Sequence, residues 1–123
     1  MAEGGDTRDG RERRRDPRYP RSVPLRMGHD GMGVRAESIN ISTRGLYCKV
    51  PRYVAPFSKL RVALDLPFSG DDHRTVECDG VVVRVEPDSE APGVTEYRLA
   101  IYFLNLDQPG ARMIEDFLSA SQN

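Results

Sequence analysis

The chain has no apolar run approaching the roughly 18 residues that a membrane-spanning helix requires. Its opening stretch, MAEGGDTRDGRERRR, carries none of the apolar core of a secretory signal. Both absences make the cytoplasm the expected location, with no membrane span. Cysteine is scarce: Cys48 and Cys78 are the only two, without CxxC spacing and in strand-like segments. In a reducing compartment that predicts buried free thiols and no disulfide. Histidine is scarce too, with only His29 and His73, neither at metal-ligand spacing with a cysteine. A Ser-His-Asp or Cys-His arrangement would have to recruit one of these two, and both fall in expected turns. The stretch DDHR (71–74) offers two carboxylates and an imidazole, but a polar loop tip explains it as well. No Gly-rich phosphate loop leads into a helix. A protein that is not an enzyme, with no metal and no cofactor, is the expectation.

What remains is a chain of 123 residues, 38% hydrophobic and 30% charged, enough for one domain around a modest core. Its net charge of -1 hides an uneven distribution. Residues 8–26 hold eight arginines against Asp9, Glu12 and Asp16, a local +5, whereas ten basic and fourteen acidic residues from Met27 onward leave -4. Five of the arginines crowd into RRRDPRYPR (13–21). Such asymmetry suggests a local anionic partner.

Residues 1–12 are rich in glycine and charge without apolar period, and are expected to be disordered. Period-two alternation then recurs. Val23, Leu25 and Met27 share a face in SVPLRM (22–27), and GHDGMG (28–33) is turn chemistry. VRAESINI (34–41) reads as a second strand with Ile39 and Ile41 on one face, and LYCKV (46–50) turns Leu46, Cys48 and Val50 one way. KLRVALDL (59–66) aligns Leu60, Val62, Leu64 and Leu66, and PFSGDDHR (67–74) follows as an exposed loop. In TVECDGVVVRVE (75–86) the inward set runs Val76, Cys78, then Val81, Val83 and Val85, with a bulge expected at Gly80. TEYRLAIYFL (95–104) alternates through Tyr97, Leu99, Ile101 and Phe103. The period then changes: Asp107 can cap a helix, Pro109 suits its first turn, and Met113, Ile114, Phe117 and Leu118 form one stripe. Evenly spaced short strands suggest a small antiparallel barrel or sandwich, with the helix packed on it or closing one end.

The arginine stretch gains meaning from a second one. Pro17 and Pro20 hold the segment around Arg14 and Arg18 out of helix, so arginines four apart can wrap a ligand. A guanidinium can fork onto phosphate, pair with guanine O6 and N7, or stack on a base. In NISTRG (40–45), Asn40 and Ser42 fall at i and i+2, where amide and hydroxyl can reach a base edge or phosphate. Gly45 permits a backbone conformation and a close approach that a side chain would prevent. Arg44 stands beside them and can add a phosphate contact. A solvated basic tail and a turn-stabilising Asn-Ser pair are the plain readings of the same residues. Tyr19, Tyr47 and Tyr102 can stack on a base, although strand aromatics more often serve the core.

Arg14-Arg15-Asp16-Pro17-Arg18 followed by Asn40-Ile41-Ser42-Thr43-Arg44-Gly45 resembles the paired RxxxR and [D/N]xSxxG signature of the PilZ domain family. The resemblance runs from about residue 11 to 119 and takes in GVVVRV, YRLAIYF and the terminal helix. It implies a six-stranded antiparallel β-barrel with a C-terminal helix, here over residues 13–119. It also implies a receptor for the second messenger cyclic di-GMP, free-standing and acting through a partner protein. Family-level options for that partner are motility, polysaccharide or surface-attachment machinery. By the resemblance, Arg14 and Arg18 hold phosphates and guanine faces, Arg15 between them belongs to the ligand-binding set, Asn40 and Ser42 meet a guanine edge, and Gly45 shapes the turn. Arg13, just before the motif, accompanies binding of an intercalated ligand pair in such proteins. Two other readings stay open: a PilZ-like adaptor that does not bind the ligand, and a small barrel that binds nucleic acid through its basic arm. The acidic remainder of the chain weighs against specific nucleic-acid binding.

Overall fold

A computed structural model of the chain describes residues 19–20, 22–29, 32–68 and 71–121. Among these residues, seven strands and one helix follow in order: β1 (Tyr19–Pro20), β2 (Pro24–His29), β3 (Met32–Ile41), β4 (Gly45–Val50), β5 (Lys59–Pro67), β6 (His73–Glu86), β7 (Tyr97–Phe103) and α1 (Gln108–Ser121). All pairings are antiparallel, and the order β3-β2-β5-β6-β7-β4 closes on itself because β4 also pairs with β3. The result is a closed six-stranded barrel. Short β1 extends the β2 side of the sheet along β3, with Tyr19 opposite Ile41 and Pro20 opposite Asn40.

Alternation explains the core. Val23, Leu25, Met27, Leu46, Cys48, Val50, Leu60, Val62, Leu64, Leu66, Tyr97, Leu99, Ile101 and Phe103 all point inward and are buried, on the faces their spacing predicts. Cys48 and Cys78 are buried free thiols. Asp107 caps α1: its carboxylate accepts the Gly110 N–H at 2.7 Å and its carbonyl the Ala111 N–H at 2.9 Å. From there Ile114, Phe117 and Leu118 turn into the core, with Met113 half-buried beside them. The Phe117 ring meets Phe68 edge-on at 6.0 Å, so the helix covers the barrel near the end of β5.

Four expectations need correction. Gly80 is not a bulge; it stays in phase as an inward residue between Cys78 and Val82, and the register shift falls between Val82 and Arg84. A Cβ at residue 80 would come within 2.7 Å of an Ile101 methyl, so the missing side chain makes room for the neighbouring strand. Val83 is consequently 51% exposed, and Val85 resumes the inward set. In β3 the inward residues are Val34, then Ser38, then Ile41. A bulge between Ser38 and Asn40 makes that spacing possible and leaves Ile39 only half-buried. Finally, the exposed loop is shorter than 67–74, because His73 and Arg74 already pair in β6, with Leu66 and Pro67 as partners. The 28–33 turn is narrower too: Gly28 pairs with Gly33 and His29 with Met32.

Candidate ligand-binding end of the barrel

The turn between β3 and β4 is built around one hydroxyl. Ser42 is buried, and its Oγ accepts the N–H groups of Arg44 at 3.1 Å and Gly45 at 3.3 Å. The same hydroxyl donates to the Gly45 carbonyl at 3.3 Å, beside a Ser42 N–H donation to that oxygen at 2.9 Å. One donor and two acceptor lone pairs are all a serine hydroxyl has, so the turn uses its full capacity. Sequence spacing puts Ser42 on a strand face with Asn40. In the structure it lies past the end of β3 and faces its own turn, because a sharp chain reversal needs its N–H groups satisfied.

Gly45 is needed for contact, not for conformation. Its φ is not in the left-handed region, where Gly93 is the described glycine found. A Cβ there would overlap the Ile101 carbonyl oxygen and lie 3.2 Å from the Tyr102 Cα, since β7 passes directly against it. Arg44 is exposed, and its carbonyl accepts the Phe103 N–H at 2.9 Å, which ties the turn to the end of β7. Asn40 is half-buried and sits between Pro20 on one side and Tyr47 on the other.

Two tyrosines stand at this end outside the core. Tyr47 is half-buried, and its hydroxyl donates to Glu86 Oε1 at 2.9 Å. Partial burial and then that carboxylate neighbour push its pKa above the ordinary 10.0. Tyr102, paired with Gly45, is 44% exposed. The strand tyrosine that does serve the core is Tyr97, with Tyr53 packed edge-on at 5.6 Å.

Arg13, Arg14, Arg15 and Arg18, with the 1–12 tail, lie outside the described residues. What the structure does describe is the chain segment that follows them. Tyr19, next after Arg18 in sequence, pairs with Ile41, which is next before Ser42. Ser38 secures the same segment from inside. Its buried Oγ accepts the Val23 N–H at 2.8 Å while its own N–H donates to the Val23 carbonyl at 3.0 Å. This anchoring serine is not among the sequence-derived site residues. Its signal was the run Val34, Ala36, Ser38, which places a polar side chain inward just where β2 gives way to β1.

Among the described residues, no group of three or more His, Cys, Asp or Glu could hold a metal ion, and His73 and Arg74 of DDHR open β6. No helix of the described residues is long and apolar enough to cross a membrane.

Curated proteins give no significant sequence match. Similar folds are found among solved structures. The Bacillus subtilis inhibitor of motility (MotI/DgrA) superposes with a TM-score of 0.73 at 17% identity, over 89% of this chain and 51% of that one. The chain thus spans about half the length of that protein. The PilZ domain of YcgR from Escherichia coli, solved with c-di-GMP, gives 0.65 at 15% identity, covering 89% of this chain and 92% of that one. The PilZ domain of CeSA from a cellulose-synthesizing bacterium gives 0.53 at 11%, covering 87% and 99%. At such identities the likeness concerns the fold. The sequence profile of the PilZ domain matches residues 12–120, nearly the whole chain, and with the closed barrel, the terminal helix and the NISTRG turn it shows that this chain belongs to the PilZ domain family.

Proposed function

We propose that this protein is a receptor for cyclic di-GMP that passes its occupancy to a partner protein. One observation supports the reading: Tyr19, the residue after Arg18 in sequence, pairs with Ile41, the residue before Ser42. Two guanidiniums entering there could meet the two phosphates and two guanines of the ligand, groups that arginine recognises by forked hydrogen bonds and stacking. Arg14 and Arg18 hold phosphates and guanine faces, with Arg13, Arg15 and Arg44 adding positive charge. Asn40 reads a guanine edge. Ser42 and Gly45 act through the turn, one by filling its hydrogen bonds and the other by letting β7 come close. YcgR's PilZ domain was solved with this ligand, which supports the assignment by kinship of fold. MotI is described as an inhibitor of motility, so motility machinery heads the candidate partners, ahead of polysaccharide or attachment systems.

A second reading has its own support. Ser42 and Gly45 are both accounted for by the needs of the turn, as a ligand-free adaptor would also show. Thermal denaturation separates the two. A ligand that binds only the folded state adds about 2.7 kcal/mol at a hundredfold excess over Kd, a rise of several degrees in Tm. The receptor reading predicts that rise with cyclic di-GMP and none with GTP. An unchanged Tm at millimolar cyclic di-GMP would leave the adaptor.

A further inference from the structure

The outer wall of the barrel carries an arrangement that neither the fold nor the ligand site uses. On β2, Arg26 and Gly28 face outward; on β3, Gly33 and Arg35; on β5, Arg61 and Ala63. The registers set them in a grid. Arg35, Arg26 and Ala63 form one row across the three strands, and Gly33, Gly28 and Arg61 the next. Two arginines thus stand directly opposite each other, a like-charge cross-strand pair that destabilises a sheet. Arg61 has carboxylate partners, Asp79 at 3.2 Å and Glu77 at 3.5 Å. Glu37, the next outward residue of β3, pairs with Lys49 at 4.0 Å. Arg26 and Arg35 have no such ion pair among the described residues.

Between the three arginines the floor is bare. Glycine weakens a strand interior, and neither of these two is required by geometry. Neither has a left-handed φ. A Cβ on residue 33 would meet nothing within 4 Å, and one on residue 28 would make only ordinary contact with Arg61 Cβ at 3.8 Å. Leaving both out opens a trench of about 470 Å³ whose floor is backbone and the Ala63 methyl. Its charge is not uniform: Glu77 lines one side beside Arg61, and Asp65 lines the neighbouring hollow beside Arg26 and Arg35.

We infer that this trench docks an acidic, extended segment of a partner protein. Two adjacent forks suit side-chain carboxylates, and a floor without side chains lets a second backbone lie close. A lone small anion gains little on such an open wall, because solvent screens the charges. A peptide brings several carboxylates at once. Arg35 lies five residues along β3 from Asn40, about 16 Å at the usual strand rise, so the trench and the ligand turn are different places on one strand. The inference does not rest on cyclic di-GMP binding and can fail without it.

The test is a 15N-1H titration of the whole chain with a synthetic peptide of alternating glutamate and glycine at 0.15 M salt. Inorganic phosphate and a lysine-glycine peptide serve as controls. Shifts should centre on the amides of Gly28, Gly33 and Ala63 and disappear in Arg26→Thr/Arg35→Thr. Both sites are on the outer wall, so the variant should keep its spectral dispersion, and relief of the like-charge pair should raise Tm by roughly 2 °C or more. Shifts that are absent, that persist unchanged in the variant, or that phosphate reproduces at equal concentration would overturn the inference. So would a variant that melts earlier than the parent, since the pair would then be stabilising the barrel.

Discussion

Ser42 hides its hydroxyl in a turn, and Gly45 lies flat against a neighbouring strand. Their roles can be measured before any ligand is added. Gly45→Ala would force a methyl into the Ile101 carbonyl. Backbone cannot swing aside as a flexible side chain can, so the variant should lose about 1–3 kcal/mol, read as a lower urea midpoint. An unchanged midpoint would mean that β7 can move away from β4. The two thiols give a prediction in pH. Burial pushes Cys48 up to about 12 from the ordinary 9.0, and burial first, with smaller charge effects, pushes Cys78 to about 11. The folded chain keeps both protons after the unfolded chain has released them. Stability contributed this way is complete below pH 9 and falls as pH rises from about 9 through 11 and 12. Native protein at pH 8 should resist a thiol reagent that labels the urea-unfolded chain within minutes; rapid labelling of the native form would contradict the burial.

At the scale of elements, the loop into β5 holds a residue its turn does not favour. Ser58 N–H donates to the Ala55 carbonyl at 3.2 Å, with Pro56 and Phe57 between, and Phe57 has φ 70° and is 80% exposed. That is the third position of a type II turn, where glycine is preferred. Two backbone bonds to Val82 hold it there, Phe57 N–H to the Val82 carbonyl and Val82 N–H to the Ser58 carbonyl. Phe57→Gly should therefore stabilise the fold by a few tenths to about 1 kcal/mol, the relieved strain less the added freedom of the unfolded chain. A destabilised variant, by the same urea midpoint, would show that the ring packs on something. Asp107→Ala should cost about 1 kcal/mol, seen as a lower Tm, by freeing the Gly110 N–H. Sequence made some elements plain and hid others. Leu60, Val62, Leu64 and Leu66 announce β5 because large apolar residues recur at every second position with only Arg61, Ala63 and Asp65 between, and Asp107 with Pro109 announces α1. The bulges were hidden for opposite reasons: three consecutive valines, 81–83, give no clue to which one turns outward, and Ile39 beside Ile41 suggests an inward pair. In both, tertiary fit at Gly80 and Ser38 decided the phase.

Across the whole molecule, the pairing of β1 with β3 and of β4 with β7 brings Tyr19 and the end of β7 to the NISTRG turn. Alternation implies six strands and short turns imply their hairpins, but nothing local says that β2 pairs with β5, that β4 pairs with β7, or that Tyr19 lands beside Ile41. Those contacts depend on the barrel being complete. The NISTRG turn was legible as a motif, whereas the inward turn of Ser42 was not, because spacing alone cannot separate a strand residue from the first residue of a turn. The account stands on cyclic di-GMP binding at that junction. The direct measurement is calorimetric titration of cyclic di-GMP into the parent, Arg14→Ala and Asn40→Ala, with GTP and a single-stranded oligonucleotide as controls. Selective binding is predicted, weakened by about 1–3 kcal/mol in each variant, at about tenfold per 1.4 kcal/mol. The ligand-to-protein ratio would report a single or a paired ligand. No heat with cyclic di-GMP, or equal binding by both variants, would contradict it.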